Sequence, residues 1–152
     1  MITEAPVLER LQGRFPGSLE VVPAVDHPTV RAPKEMLLAL MEFARGELHM
    51  ELLIDVCAVD WFPARPRFEV VYHLLAPATM ERLRIKTTCH LGEEVPSVIH
   101  IWPGADWPER EAFDLFGVKF SGRGEVRRLY MPDDWEGHPL RKDYPVAGPR
   151  VD

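Results

Sequence analysis

Three carboxylates on one short stretch, Glu109, Glu111 and Asp114, are the first residues of this chain whose types and spacing invite a chemical reading. Two carboxylates held in different environments can divide acid and base work between them. Such a pair also needs a nucleophile or a second reacting group nearby, and none is close in sequence. Arg110 lies four residues before Asp114, the spacing of an ordinary helical ion pair, so the structural reading is preferred. His138 with Asp143 could form a proton relay. A histidine in a Gly-His-Pro turn more often donates a hydrogen bond within the turn or at an interface. Trp61, Trp102, Trp107 and Trp135 could stack on bases or a flavin, but core and interface packing is the commoner use of such rings.

Metal chemistry finds no ligand set. Cys57 and Cys89 sit far apart, each inside an apolar strand-like segment, which reads as two buried reduced thiols rather than a disulfide. Two lone cysteines cannot hold an iron-sulfur cluster. The six histidines are scattered, with no pair at helical spacing. No catalytic, cofactor-binding or metal-binding residue is expected. The formal charge of -6, from 18 basic and 24 acidic residues, disfavours a general attraction to nucleic acid or anionic lipid. The first residues lack the basic and apolar regions of a leader, and no apolar run is long enough to cross a membrane, so a cytoplasmic location is expected.

The elements that would position these groups read as α+β: a small, mostly antiparallel sheet with helices packed on one face, followed by an extended C-terminal arm. Residues 1–120 form the core domain and 121–152 the arm. A helix is predicted over Thr3–Gln12, capped by Thr3, with Val7, Leu8 and Leu11 on one side. Leu19–Val25 and Pro28–Ala32 read as extended. Pro33 opens a second helix that carries Leu37, Leu40, Met41 and Ala44 and stops at Gly46. The nearly continuous apolar run Leu52–Val59 suits a central strand covered on both faces. In the next strand Phe68, Val70, Tyr72 and Leu74 face inward, with Arg67, Glu69 and His73 opposite. In the third, Leu83, Ile85, Thr87 and Cys89 face inward, with Arg82, Arg84, Lys86 and Thr88 outward. A last helix, Trp107–Phe116, is predicted with Asp106 and Glu109 as a capping pair, Phe113 and Phe116 on one side, and Gly117 in a left-handed exit.

Beyond Phe120 regular periodicity gives way to turns, charges of both signs and large rings. Glu109, Arg110, Glu111 and Asp114 on the helix, with Arg127, Arg128, Asp133, Asp134, Arg141, Lys142 and Asp143 after it, form alternating blocks that suit a partner of complementary pattern. Pro132, Pro139, Pro145 and Pro149 limit the freedom of the unbound arm. Trp135, Leu140 and Tyr144 read as its anchors.

The run E-R-E-A-F-D-L-F-G-V-K-F, followed by R-R-L-Y-M-P-D-D-W-E-G-H-P-L-R-K-D-Y-P, closely resembles the thirty-kilodalton subunit of respiratory complex I, NADH:quinone oxidoreductase. The resemblance runs from about Pro96 to Pro145, roughly a third of the chain. It implies a cofactor-free subunit of the peripheral arm of a proton-pumping enzyme, at the cytoplasmic face of the cell membrane and without a span of its own. It further implies docking on the large quinone-site subunit and neighbouring peripheral-arm subunits, with FMN, iron-sulfur clusters and quinone held by partners. On this reading the partner interface comprises Glu109, Arg110, Glu111, Asp114, Phe116, Gly117, Arg127, Arg128, Asp134, Trp135, His138, Leu140, Arg141, Lys142, Asp143 and Tyr144. The sequence departs from the family at Gly122-Arg123-Gly124, where members usually show Gly-His-Pro, which puts any role of that histidine in doubt. The longer C-terminal extensions of some members are also expected to be missing. Two other readings stay open: the equivalent subunit of a complex-I-like membrane-bound hydrogenase or other dehydrogenase, and an RNA-binding α+β domain.

Overall fold

The computed structural model describes residues 2–147. Its strands are β1 (Glu20–Val21), β2 (Thr29–Arg31), β3 (Leu52–Asp60), β4 (Phe68–Ala76), β5 (Glu81–Cys89), β6 (Glu94–Pro96) and β7 (Lys119–Ser121). Its helices are α1 (Pro6–Arg14), α2 (Leu37–Gly46) and α3 (Asp106–Phe116), the last two each entered through a short 3-10 turn. Five strands make one sheet in the order β1-β2-β5-β4-β3, with all pairings antiparallel except β2 with β5. The fold is therefore α+β with a mostly antiparallel sheet.

The inward side chains follow the alternation. Phe68, Val70, Tyr72 and Leu74 of β4 and Leu83 and Ile85 of β5 are buried with Val30 of β2 and Val56 of β3. Val7, Leu8 and Leu11 of α1 and Leu37, Leu40, Met41 and Ala44 of α2 close over them from the same face. Removing this much apolar surface from water, at about 25 cal/mol per Å², is the main force holding helices to sheet.

The apolar run Leu52–Val59 is not the central strand. It is β3, the sheet's edge; β5 takes the centre, with β4 between the two. Continuous apolarity marks coverage without saying by what, and here α3 lies along part of β3 while Leu52 and Ile54 stay exposed. The other face of β4 is also less open than alternation suggests. Glu69, Val71 and Leu75 are all buried there, flanked in register by Lys86 and Arg82 of β5 and by Cys57 and Leu52 of β3. Long charged side chains shield apolar neighbours with their stems.

Local corrections have local causes. α1 begins at Pro6 behind Ala5, with no side-chain cap from Thr3, because proline in the first turn needs no partner for its missing N–H. The predicted strand Leu19–Val25 shrinks to two residues before Pro23. The parallel pair of β6 with β7 has no counterpart in the sequence pattern, since three-residue strands carry too little periodicity to register. Cys57 and Cys89 are free thiols, as expected, but only Cys89 is buried; Cys57, on the edge strand, is half-covered.

The Tyr72 hydroxyl is fully enclosed and has no hydrogen-bond partner among the described residues. Tyr72→Phe is therefore expected to raise stability by about 1 kcal/mol in chemical denaturation, because it removes an unsatisfied buried group without opening a cavity. A loss of that size would mean the hydroxyl is satisfied.

Candidate functional site

The motif helix and the tail meet as expected, but their strongest charges face inward. α3 enters through the 3-10 turn Pro103–Ala105, and its N-cap is Ala105 without a side-chain bond. Asp106 and Glu109 are thus released from the capping role predicted for them. Glu109 is 0% exposed and accepts from Ser97 Oγ at 2.6 Å, Val98 N–H at 2.8 Å and Arg123 Nη1 at 2.7 Å. Arg123 also bonds Asp106. One helical carboxylate ties the 97–98 loop and the turn at Gly122-Arg123 to the start of α3. Arg123 supplies the positive charge that a buried glutamate requires.

Asp114 is the second fastener, also 0% exposed. Its Oδ2 accepts three backbone N–H groups, from Leu129 at 3.0 Å, Tyr130 at 2.7 Å and Met131 at 3.0 Å. Its Oδ1 accepts from Arg128 at 2.9 Å. Arg128, not Arg110, is its ion-pair partner. The other end of the Arg128 guanidinium donates to the carbonyls of Trp135 at 2.8 Å and Gly137 at 3.1 Å. Arg110 instead lies over the Trp107 ring, 4.9 Å from its centroid, and donates to the carbonyls of Arg127 and Arg128. Burial opposes ionisation of Asp114, yet the Met131 and Tyr130 N–H groups, Arg128 and the Leu129 N–H together hold its pKa below the usual value.

The last turn of α3 leaves carbonyls without helical partners, and the tail caps them. His138 Nδ1 donates to the Asp114 carbonyl at 2.9 Å, the Leu140 N–H to Leu115 at 3.0 Å and Arg141 Nε to Phe116 at 2.6 Å. A cation at a helix C-terminus also complements the helix dipole. Gly117 has φ +74°, as the sequence predicts, and a side chain there would collide with His138 and Arg141. Phe116 packs toward the core while Phe113 meets the His138 ring edge-on at 5.9 Å. Burial keeps the His138 imidazole below its ordinary pKa.

A third fastener joins the tail to the β3–β4 hairpin. Arg67 grips Asp60 through two bonds, at 2.9 and 2.8 Å, and Asp143 through two more, at 3.1 and 2.6 Å. Asp60 further accepts the Lys142 N–H at 2.9 Å. The Arg67 hydrogen bonds bring Asp60 down to about 2 and lower Asp143 as well. Asp143 therefore faces Arg67 and not His138, so the two do not form the relay considered from sequence. Sequence reasoning does not mark Asp60, Arg67 or Arg123 as site residues: the signal for Asp60 and Arg67 is isolated charge beside apolar strands, and that for Arg123 is its place in the Gly122-Arg123-Gly124 turn.

Outward from this frame project Glu111, Arg127, Asp133, Asp134, Glu136 and Lys142, with Trp107, Tyr130 (64% exposed) and Leu140 (52%) as the apolar members. Trp135 and Tyr144 are half-buried, and the Tyr144 ring lies close over Gly137. Glu109 and Asp114 belong to the interior and not to the docking surface assigned from sequence. Pro149 and the end of the arm lie outside the described residues. Among the described residues no cluster of three histidine, cysteine or acidic side chains is placed to hold a metal.

A family model described as the respiratory-chain NADH dehydrogenase, 30 Kd subunit, matches residues 30–150. The chain belongs to that family. It is 45% identical over 142 residues to an NADH-quinone oxidoreductase subunit of Geotalea uraniireducens, covering 92% of this chain and 87% of the relative. Against the protein of the same name from Moorella thermoacetica it is 45% identical over 138 residues, with 90% and 92% covered. The Sinorhizobium medicae relative, again of the same name, is longer: at 46% identity the match takes in 79% of this chain but 61% of that protein. Among solved structures, a chain of the membrane-bound sulfane sulfur reductase, an archaeal respiratory membrane complex, superimposes with TM-score 0.75 and 28% identity over 92% of this chain and 84% of that one.

Asp114→Ala should cost about 3–5 kcal/mol, the usual penalty for breaking a buried ion pair. Hydrogen exchange should rise at Leu129–Met131 and leave β4 and β5 slow. Loss confined to a few tenths of a kcal/mol would show that the carboxylate is not the fastener. Because Asp60, Asp143 and Asp114 are depressed in the folded state, their stabilisation is complete above the ordinary carboxylate pKa of 3.8 and is lost as pH falls through their lowered values, which for Asp60 is about 2. Acid titration of the isolated chain should therefore free residues 128–144 in that window. Release above pH 5 would contradict it.

Proposed function

We propose that this chain is a non-catalytic subunit of the peripheral arm of proton-pumping NADH:quinone oxidoreductase, docking on the large quinone-site subunit and its neighbours. Membership of the thirty-kilodalton family and the identity with its bacterial members support this role. The observation that carries it is the tail itself, whose backbone is fastened from inside while Tyr130 and Leu140 project outward without apolar cover. Ordered, exposed apolar side chains beside charges of both signs are what a protein interface core and rim require. FMN, iron-sulfur clusters and quinone then reside in partner subunits, and this chain holds no cofactor of its own.

No helix among the described residues is long and apolar enough to cross a membrane. A peripheral position at the cytoplasmic face, held by partner subunits, fits that fact. The likeness to a chain of another respiratory membrane complex keeps the equivalent subunit of a complex-I-like membrane-bound hydrogenase or other dehydrogenase as the second reading, but its 28% identity is well below the 45% shared with the Geotalea uraniireducens relative. RNA binding is the weakest alternative. Three of the basic side chains of the open sheet face are already paired, Arg31 and Lys86 with Glu69 and Arg84 with Asp26, which leaves Arg82 alone and no basic row to follow a phosphate backbone.

Leu140→Asp tests the docking role. An exposed substitution should change the stability of the isolated chain by no more than about 0.5 kcal/mol. Incorporation into the membrane-bound complex, followed by co-purification, should drop severalfold. Undiminished incorporation would remove this face from the interface, and NADH oxidation or quinone reduction by the isolated chain would overturn the non-catalytic role.

A further inference from the structure

The two edges of the five-stranded sheet are finished differently. β1 is two residues long, is followed by Pro23, and lies beside the Ile2 to Ala24 bridge. Such an edge offers little to a passing strand. β3 at the other edge is nine residues long, contains no proline or lysine, and carries Leu52 at 47% and Ile54 at 51% exposure. Along it, every second residue turns its N–H and C=O away from β4. Among the described residues no hydrogen bond is recorded to the outward groups of Leu52–Val59. A bulge at Ile54 interrupts the register with β4 but leaves this row open. The second half of the strand, Cys57 to Val59, is half-covered, so the free stretch is the first half.

We propose that the β3 edge, over Leu52–Val56, receives an extended strand of another polypeptide that presents Lys or Arg between apolar residues. The unpaired backbone row defines the geometry, because only another extended backbone satisfies alternating donors and acceptors. Leu52 and Ile54 supply apolar contacts. Charge defines the partner: Glu51 and Asp55 are exposed on this edge, and Glu111 is exposed on α3, the helix that packs along β3. None of these three acids forms an ion pair among the described residues; of the β5 cations, Arg84 and Lys86 are engaged by Asp26 and Glu69, and Arg82 stands two strands from the edge, in register with Leu52 through Leu75. A second copy of this chain would bring the same acids to the same edge, with Asp55 near the middle. Like charges facing each other across strands destabilise such a pairing. A basic strand from a different chain is therefore the occupant that fits.

The inference rests on the chain being part of a larger complex, and one preparation tests both. The tagged chain is recovered from membranes, and co-purification with other subunits tests the proposed role. Residue-resolved hydrogen exchange is then compared between the recovered complex and the isolated chain. The outward amides of Leu52–Val56 should exchange at least tenfold more slowly in the complex, alternating with amides that pairing to β4 already protects. Ile54→Lys and Asp55→Lys should each lower incorporation severalfold while the melting temperature of the isolated chain is kept. Equal exchange in both states, or slowing without alternation, would overturn the proposal even if the subunits co-purify. So would protection that appears in the isolated chain and grows with its own concentration, which would identify a second copy. Recovery of the chain alone would overturn both readings. Should a variant fail to fold, the exchange comparison on the unaltered protein still decides.

Discussion

A carboxylate with no access to water sits at the end of α3, and the arrangement of the C-terminal quarter follows from satisfying it. Asp114 cannot be ionised and enclosed unless donors converge on it, and the donors are three successive backbone N–H groups and one guanidinium. Bringing those N–H groups to one oxygen fixes the backbone at Leu129–Met131. Placing Arg128 on the other oxygen aims its remaining nitrogen at Trp135 and Gly137, so the constraint passes seven to nine residues further on.

Glu109 repeats the device at the opposite end of the same helix, and Asp60 repeats it across the β3–β4 hairpin. In each case a buried acid meets an arginine plus main-chain or hydroxyl donors, and in each case the arginine or the donor comes from a distant part of the chain. Buried ion pairs add little net stability compared with an apolar core, but they are intolerant of misplacement. Here they select one path for the tail over the many that its turns and prolines would permit. The outward side chains, Tyr130, Leu140, Arg127 and Lys142 among them, consequently project from a backbone held to one path. On the docking role proposed above, less conformational entropy would be lost on association.

Period-two alternation makes β4 and β5 legible in sequence, because one face has to be apolar at every second residue. It also misplaces β3, whose uniform apolarity is equally consistent with a strand at the centre or at a covered edge. The helix of the motif ends at Gly117 in sequence and structure alike, since a left-handed exit admits few other residues. Its beginning is less legible: Asp106 and Glu109 have capping spacing, but a preceding 3-10 turn has already taken the first donors. The rings and charges of the tail stand out in sequence, while their direction does not. Whether Asp114 points to a partner or to Leu129–Met131 depends on contacts fourteen or more residues away, which no local pattern encodes.

Arg123 shows how that inward wiring reaches the turn after β7. The glutamate it serves already receives Ser97 and the Val98 N–H, so hydrogen bonding alone is nearly satisfied without it. What remains is net charge in an enclosed place, and a guanidinium supplies it without depending on protonation near neutral pH. Arginine also spans Glu109 and Asp106 at once, which joins the first turn of α3 to the β7 turn. The flanking Gly122, at φ +74°, provides the backbone reversal there. What the position demands is therefore a cation of sufficient reach over the start of α3, and a turn built from glycines can deliver it.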